Sequence, residues 1–406
     1  MNGSILAALA TVMVIASACA PTSSSTSSPL ASSTNASTGG AARSTTPSAG
    51  ATAAPPTSTP GPSSPATTLA SGAALPLCVP KAPGESATVT FVAEGHAWAM
   101  TPAGAGLTCL FDVDDAGPFA WGPLGDRALL GGLEVKGVAG GPSLAASNQA
   151  NTTITWSRPT GKTMVFASAD GTRLEKVHLD GAPIENVTPL PSSTYLRVAY
   201  HPSGEAFAYA IVRADGQSIW ISSNIGAKPT QLVFSTEGTT FGAMGFDVDG
   251  THLLYAAQHA DNHPELHSID VTDPSRAPVV WAGPVGRTIL DLMPGMQPGT
   301  VAWTTSTKST SSCADRVAMV RTAAGVAVAL PGAAAPTQVM GWLSPTQVLV
   351  SVGGCDGSYD LSAVDVASGS SAPLVSGVST AAARAPVPTP PAALPKNVVI
   401  GGSGFS

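Results

Sequence analysis

Charge is scarce in this chain. It has 18 Lys and Arg and 25 Asp and Glu among 406 residues, 11% in all, with a formal net charge of −7. No cluster of Lys or Arg occurs anywhere, which argues against nucleic acid and anionic lipid headgroups as partners. Helical patterning is missing as well. No stretch after residue 75 keeps an apolar stripe of 3.6-residue period for three turns, so amphipathic helices are not expected. Long apolar runs are confined to the start: Ile5–Ala18 is well short of the ~20 residues a spanning helix needs and fits the h-region of an export signal. Cysteine is rare too, at five residues. Apart from Cys19 these are Cys78, Cys109, Cys313 and Cys355, and an even number in an exported domain reads as two disulfides. Three pairings are possible; nearness in sequence favours Cys78 with Cys109 and Cys313 with Cys355.

The small residues Ala16, Ser17 and Ala18 directly precede Cys19. This "ASAC" step resembles the lipobox of bacterial lipoproteins, which implies signal-peptide cleavage after residue 18 and lipidation of Cys19. Ala20 to Leu75 is then nearly all Ser, Thr, Ala, Pro and Gly, with the single charge Arg43 and no aromatic residue. Such a segment cannot bury enough apolar surface to offset its ordering entropy. It is expected to be a flexible tether with a mean reach of roughly 40–45 Å. The expected organisation is signal peptide 1–18, lipidated cysteine and tether 19–75, a folded domain 76–380, and a Pro-rich tail 381–406.

What the folded part does have is self-similarity. "FAWGPLGDRALLGG" (119–132), "ITWSRPTGKTMVFAS" (154–168), "VAYHPSGEAFAYAI" (198–211), "MGFDVDGTHLLYAA" (244–257) and "MGWLSPTQVLVSVG" (340–353) share one plan. A short apolar strand ends in an aromatic, a tight turn follows, and a second apolar strand leaves it. "LDLMPGMQPGTVAWTT" (290–305) is a degenerate copy. A further hairpin follows most pairs, as in "KVHLDGA" and "AVDVASG", whose alternation of period two marks half-buried strands. Four short strands every 35–50 residues match the blade of an all-β propeller.

The segments Trp156-Ser-Arg-Pro-Thr-Gly161 and Tyr200-His-Pro-Ser-Gly204 resemble the W-S-P-D-G repeat of TolB-like (WD40-like) propellers. The resemblance covers residues ~87–375 and implies a six- or seven-bladed β-propeller, a fold that mostly supplies binding platforms. Residues 87–112 read as three strands of a blade that lacks its innermost strand. A strand returned from the tail "KNVVIGGSGFS" would complete it, which gives seven blades, with six as the alternative.

Chemistry is harder to find, and no catalytic residue is assigned. "GGSGFS" (401–406) lacks the strand–turn–helix context of a nucleophile elbow. "DVDDAG" (112–117) lacks the acidic twelfth ligand of an EF-hand, since Pro123 stands there, and "DVDG" (247–250) reads as a turn. The inner-strand motifs offer only His201 and Asp247 as polar groups. His259, Glu265 and His267 would share one face if the hairpin turn spans 260–264 and sets His259 opposite Glu265. Two imidazoles and a carboxylate are zinc donors, but a one-residue slip destroys the set, so neither metal nor cofactor is expected. The resulting expectation is a lipid-anchored, extracytoplasmic, non-catalytic binding or scaffolding module of the bacterial cell envelope, with a protein, peptide or glycan ligand. The alternative is an exported propeller enzyme of lactonase or sugar-dehydrogenase type with a metal in its channel.

Overall fold

Strands of four to eight residues separated by Gly-, Pro- and Asp-rich turns are the dominant local structure, as the period-two patterning requires. A computed structural model describes residues 74–384, except 114–118, 131–133, 139–143, 146–153, 236–237, 261–263, 283–287, 308–312, 331–335 and 356. Cys19, the tether as far as residue 73, His263 and the 396–406 segment lie outside the described residues. The strands form seven four-stranded antiparallel sheets. Blades 1 to 6 are continuous in sequence: 120–145, 155–186, 194–235, 239–282, 288–329 and 337–378. Blade 7 joins Thr380–Ala383 to Val89–Ala93, His96–Met100 and Thr108–Asp112. The fold is a seven-bladed all-β propeller, with the first strand of each sheet innermost and facing its counterparts in the neighbouring blades.

Each inner-strand aromatic packs toward the preceding blade. Trp342 sits with Ala302, Ala318 and Val320 of blade 5, Tyr200 with Val165 and Leu174 of blade 2, and Trp156 with Leu129 and Val135 of blade 1. A flat aromatic fills the wedge between two twisted sheets, so the core is a set of inter-blade layers rather than one central mass.

The closing strand differs from the expectation. It is Thr380–Ala383, directly after the last strand of blade 6; the 396–406 segment expected in this place lies outside the described residues. Thr380 pairs with Val92 and Ala383 with Val89, antiparallel. Side chains lock it in place. Thr90 Oγ1 donates to the Ala382 carbonyl at 2.6 Å and accepts the Trp121 indole N–H at 2.6 Å. Arg384 donates from its backbone N–H to Thr88 O at 2.8 Å and from Nε to Gly125 O at 2.7 Å. Blade 7 is thus closed by a bond between Thr90 and Ala382, 292 positions apart, and fastened to blade 1 through Trp121 and Gly125, so the edge of Val89–Ala93 is covered.

Two disulfides add to this. Cys78–Cys109 ties the segment ahead of the first strand to the outer strand of blade 7, and Cys313–Cys355 joins loops of blades 5 and 6. The first closes a loop with a sequence separation of 31. Reducing it should lower stability by roughly 3 kcal/mol, less any strain. Urea melts of the Cys78→Ser/Cys109→Ser variant against the parent measure this, and identical midpoints would show that the bridge contributes nothing.

Candidate binding site at the inner-strand turns

The turns leaving the inner strands of blades 1 to 4 each carry a glycine with positive φ: Gly125 (62°), Gly161 (60°), Gly204 (76°) and Gly250 (73°). These glycines do more than turn the chain, because each is pressed against the preceding blade. A Cβ would meet Arg384 at Gly125, Pro123 at Gly161, the Arg158 carbonyl at Gly204 and the His201 ring at Gly250. The turns therefore lean on one another around this part of the ring.

His201 and Asp247, the polar inner-strand residues singled out above, belong to that ring of turns. His201 is fully buried. Its Nε2–H donates to Gly250 O at 2.8 Å, and its Nδ1 accepts from Ser203 Oγ at 2.8 Å and Ser203 N at 3.1 Å. Burial pushes its pKa down, which keeps this neutral tautomer. Asp247 accepts from Val248 N at 2.7 Å through Oδ1 and from Gly299 N at 2.8 Å through Oδ2. Burial raises its pKa against those two bonds. Both residues direct their hydrogen bonds to backbone and turn groups, which ties blade 3 to blade 4 and blade 4 to blade 5.

A third inner-strand group was hidden by the degenerate copy. Asp291 stands at a bulge in Thr288–Pro294. Its pKa is pushed up to about 6 by burial, against the N–H of Thr304, which donates to Oδ1 at 2.8 Å.

The described residues show a cavity at each end of the inner strands. The one at their C-terminal ends holds about 200 Å³ and is rimmed by Pro123, Pro159, Pro202, Pro294, Phe246 and Arg158. Four of those six are turn or strand-end prolines, whose fixed φ makes the rim rigid before any ligand arrives. Arg158 is the exception in character. Partial desolvation lowers its pKa, yet the residue is exposed and lines the cavity. Its guanidinium has no hydrogen-bond or ion-pair partner among the described residues. The sequence holds a signal for it. Aromatic and glycine are four positions apart in Trp121–Gly125, Tyr200–Gly204 and Phe246–Gly250 but five apart in Trp156–Gly161. The extra residue widens the blade 2 turn at Arg158. At the other end, a wider cavity of about 790 Å³ is bordered by Arg197, Thr240, Gln258 and Thr288.

The histidine hairpin also differs from the expectation. Glu265 lies opposite Ala257 and His267 opposite Tyr255, because the second strand starts at Pro264 and pairs with Gln258. The shift is two residues, not one, so side chains keep their faces and the three candidates converge. Burial would raise the Glu265 pKa, but hydrogen bonds from His259 and His267 outweigh it and hold the carboxyl below its usual range. Burial lowers the pKa of His267 against the pull of Glu265.

No family model and no curated protein matches the sequence. Solved structures resemble the fold. Prolyl oligopeptidase B from Galerina marginata superposes with a TM-score of 0.51 at 10% identity, over 73% of this chain and 51% of that one. This chain therefore spans about half the length of that protein. TolB from Acinetobacter baumannii is similar at a TM-score of 0.44 and 11% identity, over 74% and 67% of the two chains. A chain of a nidogen/laminin complex gives 0.43 at 12% identity, over 59% and 91%. At such identities the likeness shows the propeller fold alone.

Proposed function

We propose that this protein is a lipid-anchored, extracytoplasmic propeller of the bacterial cell envelope that acts as a non-catalytic binding module. The Pro-rimmed mouth holding Arg158 is its docking face. The observation that carries the proposal is the division of labour among the turn residues. His201 and Asp247, which a channel enzyme would need for chemistry, hold the blades together, while Arg158 lines the cavity with no partner among the described residues. A rigid apolar rim around one unpaired guanidinium suits a protein or peptide ligand that inserts an apolar side chain and sets a carboxylate on the arginine. The volume of about 200 Å³ accommodates a side chain better than a free small molecule, whose pockets run to roughly 300–1,000 Å³. Two disulfides support an oxidising compartment, and Cys19 behind a small-residue step supports the anchor.

The anchor is tested by expressing the full chain and its Cys19→Ala variant with a labelled fatty acid. The parent is expected to take up label and to sediment with membranes. The variant should lose both properties. Equal labelling and equal sedimentation would refute the lipid anchor.

A further inference from the structure

Three side chains of blade 4 stand apart from the proposed docking face and are aimed at one another. His259 ends the strand His252–His259, and Glu265 and His267 occupy alternate positions of Pro264–Asp270, which puts both on one face of the sheet. Nε2 of His259 lies 3.0 Å and Nε2 of His267 2.7 Å from the same oxygen, Oε2 of Glu265. One donor atom from each residue lies within 4.8 Å of the other two. Both rings are held from behind. His259 Nδ1 is 3.0 Å from Thr239 Oγ1 on the first strand of the blade. His267 stacks on Tyr255, with ring centroids 5.0 Å apart and planes 21° apart. Three adjacent strands thus fix the orientation of the donors before any ion arrives.

We propose that His259, Glu265 and His267 form a binding site for a divalent metal ion of the zinc class, with water in an open fourth position. Two imidazole nitrogens and one carboxylate oxygen are a zinc donor set. Metal–ligand distances of about 2.0–2.2 Å in tetrahedral geometry place such donors roughly 3.3–3.5 Å apart, so both imidazoles must draw back from the Glu265 oxygen, from 3.0 and 2.7 Å, to admit the ion. The side chains are 35%, 32% and 13% exposed for His259, Glu265 and His267 respectively, so the ion can enter from solvent and keep a water. The tautomer follows from the surroundings. His259 coordinates through Nε2 while its Nδ1–H donates to Thr239 Oγ1, the outer-shell bond that metal-ligating imidazoles generally make. His267 Nδ1 is buried without a partner, so its N–H stays unpaired on coordination, which holds the affinity below that of a closed structural zinc site. The ion would clamp the second and third strands of blade 4 beside the wider cavity, which Gln258 and Pro264 border.

Among the described residues, two other clusters of potential ligands are less open to an ion. Cys78 and Cys109, near His96, are joined to each other, and the Asp247 oxygens near Asp249 and His252 are taken by backbone N–H groups. Sequence alone argued against a metal at the hairpin because its register was open. The observed register removes that objection.

The test uses the full chain, purified without an affinity tag and stripped of metal, titrated with zinc chloride and, in parallel, with cobalt(II) followed by its visible absorption. One zinc per chain and the absorption of tetrahedral cobalt are expected. Affinity should fall about 100-fold or more in His267→Ala and Glu265→Gln. It should fall roughly tenfold in Thr239→Val, which leaves every ligand in place, and stay unchanged in His252→Ala. Thermal melts without metal check that each variant is folded; because Thr239→Val and His252→Ala spare the cluster, they decide the matter even if a ligand variant unfolds. Absence of saturable binding to the parent, or equal affinity in the parent and Thr239→Val, would overturn the site.

Discussion

Replacing Ala381 with aspartate is expected to lower the stability of the domain by about 3–5 kcal/mol, enough to leave much of it unfolded under mild conditions. Ala381 is 6% exposed. It lies opposite Phe91 on the closing strand and packs among Val89, Phe91, Leu343 and Leu349 at the junction of blades 6 and 7. A carboxylate there exchanges water for hydrocarbon, and its larger side chain pushes the closing strand away from Val89–Ala93. Ala372→Asp is the matched control. Ala372 is exposed on the outer strand of blade 6, and the same charge should change stability by no more than about 0.5 kcal/mol. Urea melts of the two variants give the comparison. Equal midpoints would mean that the 380–383 strand does not close the ring.

Gly204→Ala carries the second large effect, a loss of about 3–5 kcal/mol. Its φ of +76° already costs an L-residue roughly 1–2 kcal/mol. The added Cβ also runs into the backbone carbonyl of Arg158, which cannot swing aside as a flexible side chain can. Blade 3 must therefore move off blade 2, and the rim at Arg158 must move with it. Gly181→Ala separates the two contributions. Gly181 has a comparable φ of +86° and nothing within 4 Å of its Cβ position, so it should lose only the conformational part, about 1–2 kcal/mol. Similar losses at the two glycines would show that the turns do not bear on one another.

The blades were legible in the sequence wherever strand and turn chemistry repeat. Tyr200-His-Pro-Ser-Gly204 and Phe246-Asp-Val-Asp-Gly250 announce an inner strand, an aromatic wedge and a positive-φ turn, and the structure has all three. The closing strand was not legible. Thr380–Ala383 reads TAAA, without alternation or bulk, unlike the bulkier inner strands such as Thr337–Ser344. Val398–Ile400, a β-branched run, has the stronger strand propensity, which is why the tail looked like the closing strand. Asp291 escaped notice because its repeat lacks the aromatic-to-glycine signature. Arg158 sits inside a repeat motif and draws no attention there, although the single extra residue of its turn marks it out. The hairpin register depended on a turn length that alternation cannot supply, since slips of two residues preserve every face. That same parity is why His259, Glu265 and His267 still meet.

Docking of a ligand at the Arg158 mouth is tested most directly by placing a photocrosslinking amino acid in the full-length protein as expressed in cells. One position is Val248, which lines the mouth; the other is Val328, 41% exposed on an outer strand of blade 5. Light should produce a discrete crosslinked species from position 248 and none from 328. Adding Arg158→Glu should suppress the 248 species by reversing the charge offered to a carboxylate. No adduct at 248, or an adduct indifferent to Arg158→Glu, would contradict docking at this mouth.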